Sequence, residues 1–428
     1  MKSLQQIAAE LSGYDPKALP VDQALAFLAQ LVEPLCEVEE LELALSCDRI
    51  LAEDLISPLD VPPHDNSAMD GYAFSGAALG GETLALHVTG TALAGKAWTG
   101  PVDPGQCVRI MTGAIMPKGL DTVIPQEMVT FDPAESTIRF PSNALQPGDN
   151  RRLRGEDLRC GSIALQRGQR LGPARLGLAA SLGVERLKVY RRPRVACLST
   201  GDEITAAGQA LREGAVYDSN RYSLIGLLQR LGCEVIDLGL IPDHPPSLRA
   251  AFEAAAEQAD VVISSGGVSV GEADHTRALL DEMADMVFWR VAMRPGRPLA
   301  AGRIARKNKP RPTLVFGLPG NPVAVMVTFL ALVRPTLLQL MGCSDAPPPL
   351  LRARSLSNLR KKPGRTEYQR GWVSANANGG LEVSVAGNQG SGVLSSMAQA
   401  NGLIVLPHEG GSVQIGDPVE VMMFEGYL

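Results

Sequence analysis

Four short stretches of this 428-residue chain combine small residues, helix-starting residues and carboxylates in a way that suits a phosphate-bearing ligand. They are Ser199-Thr200-Gly201-Asp202-Glu203, Ile241-Pro242-Asp243-His244, the run 264–274 with Ser265, Gly266, Gly267 and Asp274, and Gly317-Leu318-Pro319-Gly320-Asn321-Pro322. Small residues at helix starts leave backbone N–H groups free to meet an anion. Glu203, Asp243 and Asp274 add carboxylates, and carboxylates beside a phosphate site are the oxygen ligands Mg²⁺ prefers. Each feature has a plainer reading as well. Asp243 serves equally as a helix cap, and Asn321-Pro322 is a helix cap followed by the proline favoured at the first helical position. Arg290, Arg294 and Arg297 follow in one segment; their guanidinium forks suit oxyanions, or they form a solvated strand edge.

The elements around these loops fix where they meet. Residues 194–198, 233–237, 261–265, 287–291 and 313–316 read as strands, alternating with amphipathic helices over 224–231, 248–259 and 276–283. Strands alternating with helices predict a parallel α/β sheet with right-handed crossovers. Ligands bind beyond the carboxyl ends of such strands, where all four loops fall. Upstream, Val21, Leu25, Leu28 and Val32 predict one helix face, and 36–56 predicts a strand followed by a helix. From 75 to about 190, and again from 351, short apolar runs between Pro-Gly turns predict small β units. The helix from Asn321 to about Met341 carries Pro335 and is expected to bend there.

Composition narrows the function classes. Aromatic residues make up 4% and the net charge is −6, which argues against a surface that stacks and coats nucleic acid. Seven cysteines without a CxxC pair fit a reducing, cytoplasmic setting. No uncharged apolar run reaches membrane-spanning length, so no membrane span is expected. There is no HExxH. The segment 90–97 (GTALAGKA) has alanine where a P-loop needs a hydroxyl, and Ser269 in a GxSxG-like run lies several residues past its strand rather than on a sharp elbow.

At this point the motifs resemble a known family. Residues 60–73 (DVPPHDNSAMDGYA), Arg109–Ala114, Arg154–Asp157, Ser199–Glu203, Tyr217–Arg221, 264–274 and Gly317–Pro322 are similar, in order, to the motifs of the molybdopterin molybdenumtransferases, to which the gephyrin E domain is related. The resemblance runs from the first helix to the C-terminal β region. It implies a parallel α/β molybdopterin-binding domain at 193–344, a discontinuous elongated domain at 1–58 and 140–192, a small β domain at 59–139, and a β-barrel-like domain at 345–428. It also implies the reaction of adenylylated molybdopterin with molybdate to give molybdenum cofactor and AMP, with Mg²⁺. The implied enzyme is a homodimer whose cleft is shared between subunits. Asp70, Thr112, Arg152 and Asp157 would come from one subunit. Glu203, Asp243, Asp274, Arg290, Arg294, Pro319 and Pro322 would come from the α/β domain of the other, with Arg370 and Ser391 from the C-terminal domain. Glu203, Asp243 and Asp274 are the implied metal set, and Asp70 joins them as catalytic machinery. Contacts with molybdopterin adenylyltransferase and with molybdoenzyme maturation proteins are further implied.

Two rivals stay open: a molybdopterin adenylyltransferase, whose TGGTG-type loop differs from the 265–271 run here, and a scaffold like that of gephyrin. The residues do not choose between molybdate and tungstate. This chain carries arginines at 290, 294 and 297 where bacterial relatives often carry lysines, and Leu153 interrupts the run Arg151–Arg154. Residues 1–58 hold 11 acids and 3 bases, whereas residues 139–194 hold 13 bases and 4 acids. The resemblance turns that basic stretch, which contains Arg152, into a candidate ligand-facing surface.

Overall fold

A computed structural model describes residues 2–266, 275–307 and 309–425. Its centre is a six-stranded sheet: β1 (Arg194–Thr200), β2 (Glu234–Ile241), β3 (Val261–Ser265), β4 (Asp285–Arg290), β5 (Pro298–Ile304) and β6 (Thr313–Leu318), in the order β2-β1-β3-β6-β5-β4. β2, β1, β3 and β6 run parallel. β4 and β5 are antiparallel additions, so the sheet is mixed rather than wholly parallel. Residues 291–297 are too short a link to make a crossover, so the chain must turn back on itself. The sequence pattern left β5 unassigned because it opens on Pro298 and carries Gly302 and Arg303. Gly302 is required there: a Cβ would lie 2.2 Å from the Asp285 carbonyl oxygen of β4.

Both faces of the sheet are covered. Ala196, Leu198 and Val262 pack with Leu248, Phe252 and Ala255 of helix α2 (Pro245–Gln258) and Leu279 and Leu280 of α3 (His275–Met283). The alternate residues Val195, Cys197 and Ile263 pack with Leu224, Leu227, Leu228 and Leu231 of α1 (Asn220–Leu231) and with α4 (Pro322–Thr328). This alternation follows from the period-two side-chain pattern of a strand. α4 continues through a π-turn at Phe329–Val333 into the helix Arg334–Leu340. The distortion comes just ahead of Pro335, which cannot donate back to the preceding turn. The whole run Pro322–Leu340 is apolar enough to cross a membrane by length, but 78% of its apolar window is buried inside the protein, as in a core helix.

The first residues also belong to this core. Helices Leu4–Glu10 and Val21–Leu31 lie on the α1/α4 face of the sheet, with Ala24, Phe27, Leu28 and Leu31 buried; Val21 and Leu25, expected on the buried face, are only partly covered. Phe27 meets Trp289 edge-on at 4.9 Å, and Trp289 Nε1 donates to Tyr14 Oη at 2.7 Å. Residues 2–35 therefore pack on the α/β unit rather than with the elongated region.

That region is an excursion from Cys36 to Tyr190. Its two arms pair antiparallel three times: Val38–Glu42 with Arg186–Tyr190, Leu55–Ile56 with Ile163–Leu165, and Asn66–Ser67 with Arg151–Arg152. No α-helix forms over 43–56; a 3₁₀ turn at Leu43–Leu45 is followed by Asp48 at φ 61°. The excursion carries a six-stranded sheet within 71–141. The C-terminal region closes a five-stranded barrel from Leu351–Ser355, Thr366–Ala375, Leu381–Val385, Gly402–Leu406 and Pro418–Met423.

The charged arms neutralise each other. Glu37, Glu42, Asp48 and Glu53 of the acidic segment pair with Arg191, Arg186, Arg170 and Lys188. Arg154 pairs with Asp60, and Arg175 with Asp345. Most of the basic stretch is thus committed to internal ion pairs, which corrects its reading as a ligand-facing surface; Arg152, 4.0 Å from Glu156, remains largely exposed. The most buried of these pairs is Asp260, which accepts from both Arg191 nitrogens at 2.7 and 2.9 Å and from the Arg194 backbone N–H at 2.9 Å. Burial works against its charge, but these donors outweigh it and hold the carboxyl below its ordinary value of 3.8. Its stabilisation is therefore complete above that value and is lost as pH falls through the lower folded-state pKa. Asp260→Asn should cost on the order of 3 kcal/mol at neutral pH and flatten the acid limb of the stability profile, as read by urea denaturation between pH 3 and 7.

Candidate functional site

The carboxyl ends of β1, β3 and β6 open onto a cleft of about 1200 Å³. Its walls include Glu203, Asp243, Ser265, Gly266, Arg294, Pro319, Pro322 and Ser391, eight of the residues expected from sequence. Gly267 and Asp274 lie outside the described residues.

Each wall has a local cause. Gly266 sits at φ +90°, and a Cβ there would lie 2.7 Å from the Thr200 carbonyl oxygen; only glycine lets β3 leave the sheet so close to β1. Gly201, at φ +141°, allows the Glu203 carboxylate to fold back against the chain. Residues Ile204–Thr205 pair with Val216–Tyr217, which brings the stretch before α1 over the same edge. From the C-terminal barrel, the Ser391 carbonyl accepts from Val323 N–H at 3.1 Å. One N–H at the start of α4 is therefore used by the protein itself, so that helix end is less free for an anion than its sequence implied. Met293–Arg294 pairs with Thr366–Glu367 of the barrel, which fixes Arg294 and Arg297 on the wall between the two units.

The charges divide by wall. Asp243 Oδ1 is buried without a hydrogen-bond partner. Burial pushes its carboxyl upward, His275 opposes this, and Asp202 and Glu203 push it further up. An unpartnered carboxylate oxygen among like charges fits a cation, although no group of three metal-binding side chains occurs among the described residues. Arg294 and Arg297 stand exposed on the cleft wall.

Other expected residues lie elsewhere. Arg290 is exposed at the end of β4 but does not line the cleft; its backbone is bonded to Pro16 and Leu19. Arg370 is 1% exposed and sits behind the cleft wall rather than on it. Its guanidinium donates to Ser396 Oγ at 3.0 Å and to the Asn388 and Gly390 carbonyls at 2.9 and 3.0 Å. Burial and the nearby Arg294 bring its pKa down to about 10.

Asp70, Thr112, Arg152 and Asp157 lie on the excursion and do not line this cleft; of the four, Asp70 and Thr112 meet each other. Asp70 Oδ1 accepts from the Thr112 N–H and hydroxyl, both at 2.7 Å. These bonds hold its carboxyl below the usual range. Arg152 pairs in register with Asn66, and Asp157 N–H donates to the Val61 carbonyl, so motif 60–73 gathers all four. Sequence reasoning gave no role to Asp218, Asn220 and Arg221, although they fell within a recognised motif. Structure places Asp218 and Asn220 at the cleft.

The chain is 43% identical over 411 residues to the molybdopterin molybdenumtransferase of Haemophilus influenzae, which covers 96% of this chain and 100% of that one. The chain belongs to the molybdopterin molybdenumtransferase (MoeA) family. Its residues 19–183 match the MoeA N-terminal region (domains I and II), 196–339 a "Probable molybdopterin binding domain", and 352–424 the MoeA C-terminal region (domain IV). A molybdopterin molybdenumtransferase of Nostoc sp. is 37% identical, over 87% of this chain and 85% of that protein. Among solved structures, the MoeA protein of Pyrococcus horikoshii OT3 superposes with a TM-score of 0.79 at 26% identity, over 95% of this chain and 100% of that one. The cleft lies within the segment matching the molybdopterin-binding domain, with one wall from the MoeA C-terminal region.

The like-charge arrangement around Asp243 predicts a stability–binding trade-off. Asp243→Asn should raise the denaturation midpoint measured in EDTA and weaken divalent-cation binding in a calorimetric titration.

Proposed function

We infer that this chain is a molybdenum-inserting transferase that converts adenylylated molybdopterin and molybdate into molybdenum cofactor and AMP. The observation that carries the reading is the division of charge in the cleft: unpartnered carboxylate on one wall, exposed arginines on the other. Such a site suits a ligand that brings anions and a counter-cation together. Molybdate is an oxyanion, and AMP leaves from a phosphoanhydride, so both reactants carry the charge the arginines complement. Arg294 and Arg297 offset the negative charge that the two anions bring together, an electrostatic role that needs donors fixed in advance. Pro319, Pro322 and Ser391 shape the opposite side. Arg370 keeps the Asn388–Gly390 turn in place from behind.

Glu203 and Asp243 are the residues that would hold Mg²⁺, with Asp274 as the third member of the set. A bound Mg²⁺ would polarise the phosphoanhydride oxygens and offset their charge.

Asp70 and Thr112, with Arg152 and Asp157, would complete the site across a homodimer. Their distance from this chain's cleft lining supports a shared site, as does their preorganised hydrogen bonding. The reaction would run in the cytoplasm, a setting that suits the exposed free thiols of Cys36, Cys47 and Cys160. Its substrate would come from a molybdopterin adenylyltransferase, and its product would pass to proteins that mature molybdoenzymes.

The direct test incubates the purified protein with adenylylated molybdopterin, Mg²⁺ and either molybdate or tungstate, and follows AMP. AMP release with cofactor formation is expected. Pyrophosphate release from ATP and molybdopterin would point to the adenylyltransferase instead, and no turnover in either assay would point to a scaffold. The shared site has its own test. Asp70→Asn and Glu203→Gln should each be inactive alone. Mixed in equal amounts after subunit exchange, they should recover about a quarter of wild-type activity, because half the dimers are mixed and each holds one intact site of two. No recovery would place both residues in one subunit's site.

A further inference from the structure

Three side chains within residues 218–221, at the start of α1, reach three of the parallel strands and the loop that follows the fourth. Asp218 accepts from Ser199 Oγ, at the end of β1, at 2.9 Å, and from Arg221 Nε at 2.8 Å. Arg221 Nη1 donates to Asp237 of β2 at 2.5 Å. Asn220 Nδ2 donates to Ser265 Oγ, the last residue of β3, at 2.8 Å, and to the Gly320 carbonyl in the loop after β6 at 2.7 Å. The three residues are 4%, 8% and 7% exposed, so their side chains are largely shielded from water; of their partners, Asp237 is the one with a half-exposed side chain. Ser199, Asp218, Asn220, Ser265 and Gly320 all border the cleft.

This arrangement differs from ordinary core packing. A carbonyl can only accept, so the Gly320 bond fixes which way the Asn220 amide faces. The planar Arg221 fork spans two carboxylates on different elements, which a lysine ammonium cannot reproduce in the same geometry. The ties also sit on the ligand side of the sheet, beyond its regular ladder. Among the described residues, one backbone bond, Gly266 N–H to the Leu318 carbonyl at 3.2 Å, continues the pairing of β3 and β6 into the loops.

We propose that Asn220 and Arg221 are positioning residues for the transfer reaction: they hold the carboxylate-bearing end of β1, the end of β3 at Ser265–Gly266 and the small-residue loop after β6 at a fixed spacing across the cleft. The proposal rests on the transferase reading for its kinetic consequence, but the spacing itself can be measured without turnover. Neither residue need touch the reacting atoms. A displacement of about 1 Å among groups that must meet one substrate can cost on the order of 100-fold in rate.

The test compares Asn220→Asp, Asn220→Ala, Arg221→Lys and Arg221→Ala with wild type in the full-length protein. Asn220→Asp keeps size and shape but cannot donate to the Gly320 carbonyl. Activity is expressed per folded molecule, with the folded fraction taken from circular dichroism. Both Asn220 variants should lose on the order of 100-fold in kcat, with KM for adenylylated molybdopterin changed far less, and Arg221→Lys should recover part of what Arg221→Ala loses. In parallel, amide hydrogen exchange in Asn220→Ala should quicken at 199–201, 264–266 and 319–321 while the interior of the sheet keeps its protection. Wild-type kcat per folded molecule in Asn220→Asp would overturn the proposal, because a merely structural role lowers the folded fraction and not the turnover of what remains folded. If the wild-type protein releases no AMP, the transferase reading fails on its own, and the exchange measurement decides the positioning role. Unchanged exchange at the three loops would then overturn it.

Discussion

A single buried carboxylate governs how the parts of this protein are joined. The chain leaves the α/β core after Leu35, builds the whole excursion to Tyr190, and re-enters β1 at Arg194. Arg191 stands at the return point. Its N–H donates to the Glu37 carbonyl at 3.0 Å, its guanidinium meets Glu37 at 3.2 Å, and the same guanidinium clasps Asp260 ahead of β3. Asp260 also holds the Arg194 N–H at the entry to β1 and lies 3.6 Å from Arg306. Exit, return and sheet are thus tied at one place. The excursion carries the Asp70–Thr112 cluster, so the node also sets where that cluster is presented. A buried ion pair of this kind adds little net stability over an apolar substitute, but breaking it leaves a stranded charge, which gives the geometry its specificity.

The same junction explains why charge arithmetic alone misleads. Counting residues reveals an acidic beginning and a basic middle, and it invites a search for an external partner for each. Antiparallel pairing of the two arms makes each the other's partner: Glu42 faces Arg186 across the ladder, and Lys188 reaches Glu53. A period-two pattern within one strand cannot reveal which distant strand lies beside it, because that is decided by topology and not by local propensity. Most of these pairs are at the surface and contribute little each. Their effect is on register, since a one-residue slip would set Glu40 opposite Leu187 or Val189 instead of Lys188 and take Arg186 off Glu42.

Legibility in the rest of the chain follows the same division. β1, β3 and β6 and helices α1 and α2 were readable because burial on both faces demands continuous apolar strands and 3.6-residue stripes. β5 was not, because its identity depends on Gly302 meeting the backbone of β4, a contact between segments. After residue 350 the residues themselves were readable as short strands, and the barrel-like domain implied by the family resemblance is borne out, with closure resting on the pairing of Thr366–Ala375 with both Leu381–Val385 and Gly402–Leu406. At the site, loops at strand ends could be found from small residues and carboxylates alone. Asn220 and Arg221 escaped notice because their meaning lies in what they reach. The family resemblance brought Arg370 to the cleft from the C-terminal domain, whereas its burial turns it into a brace for the turn at 388–390.

These observations make the cleft a place where charge is deliberately left unresolved. Along the two arms of the excursion acids and bases find one another, even at the surface. At the strand ends they are kept apart: Glu203 and Asp243 line the cleft, with Asp202 near enough to add to the upward push on the Asp243 pKa, and Arg294 and Arg297 line it without meeting them. Arg370, just behind, is held by carbonyls rather than by a carboxylate, and its depressed pKa reflects its burial and the nearby Arg294. Side chains long enough to collapse onto one another would do so unless the backbone held them at a distance. The rigid ties from Asp218, Asn220 and Arg221, together with the barrel's bond from Val323 to Ser391, supply that distance. Keeping these charges apart therefore costs the folded protein electrostatic free energy, which a ligand carrying both an anionic group and a bound cation would offset on entering.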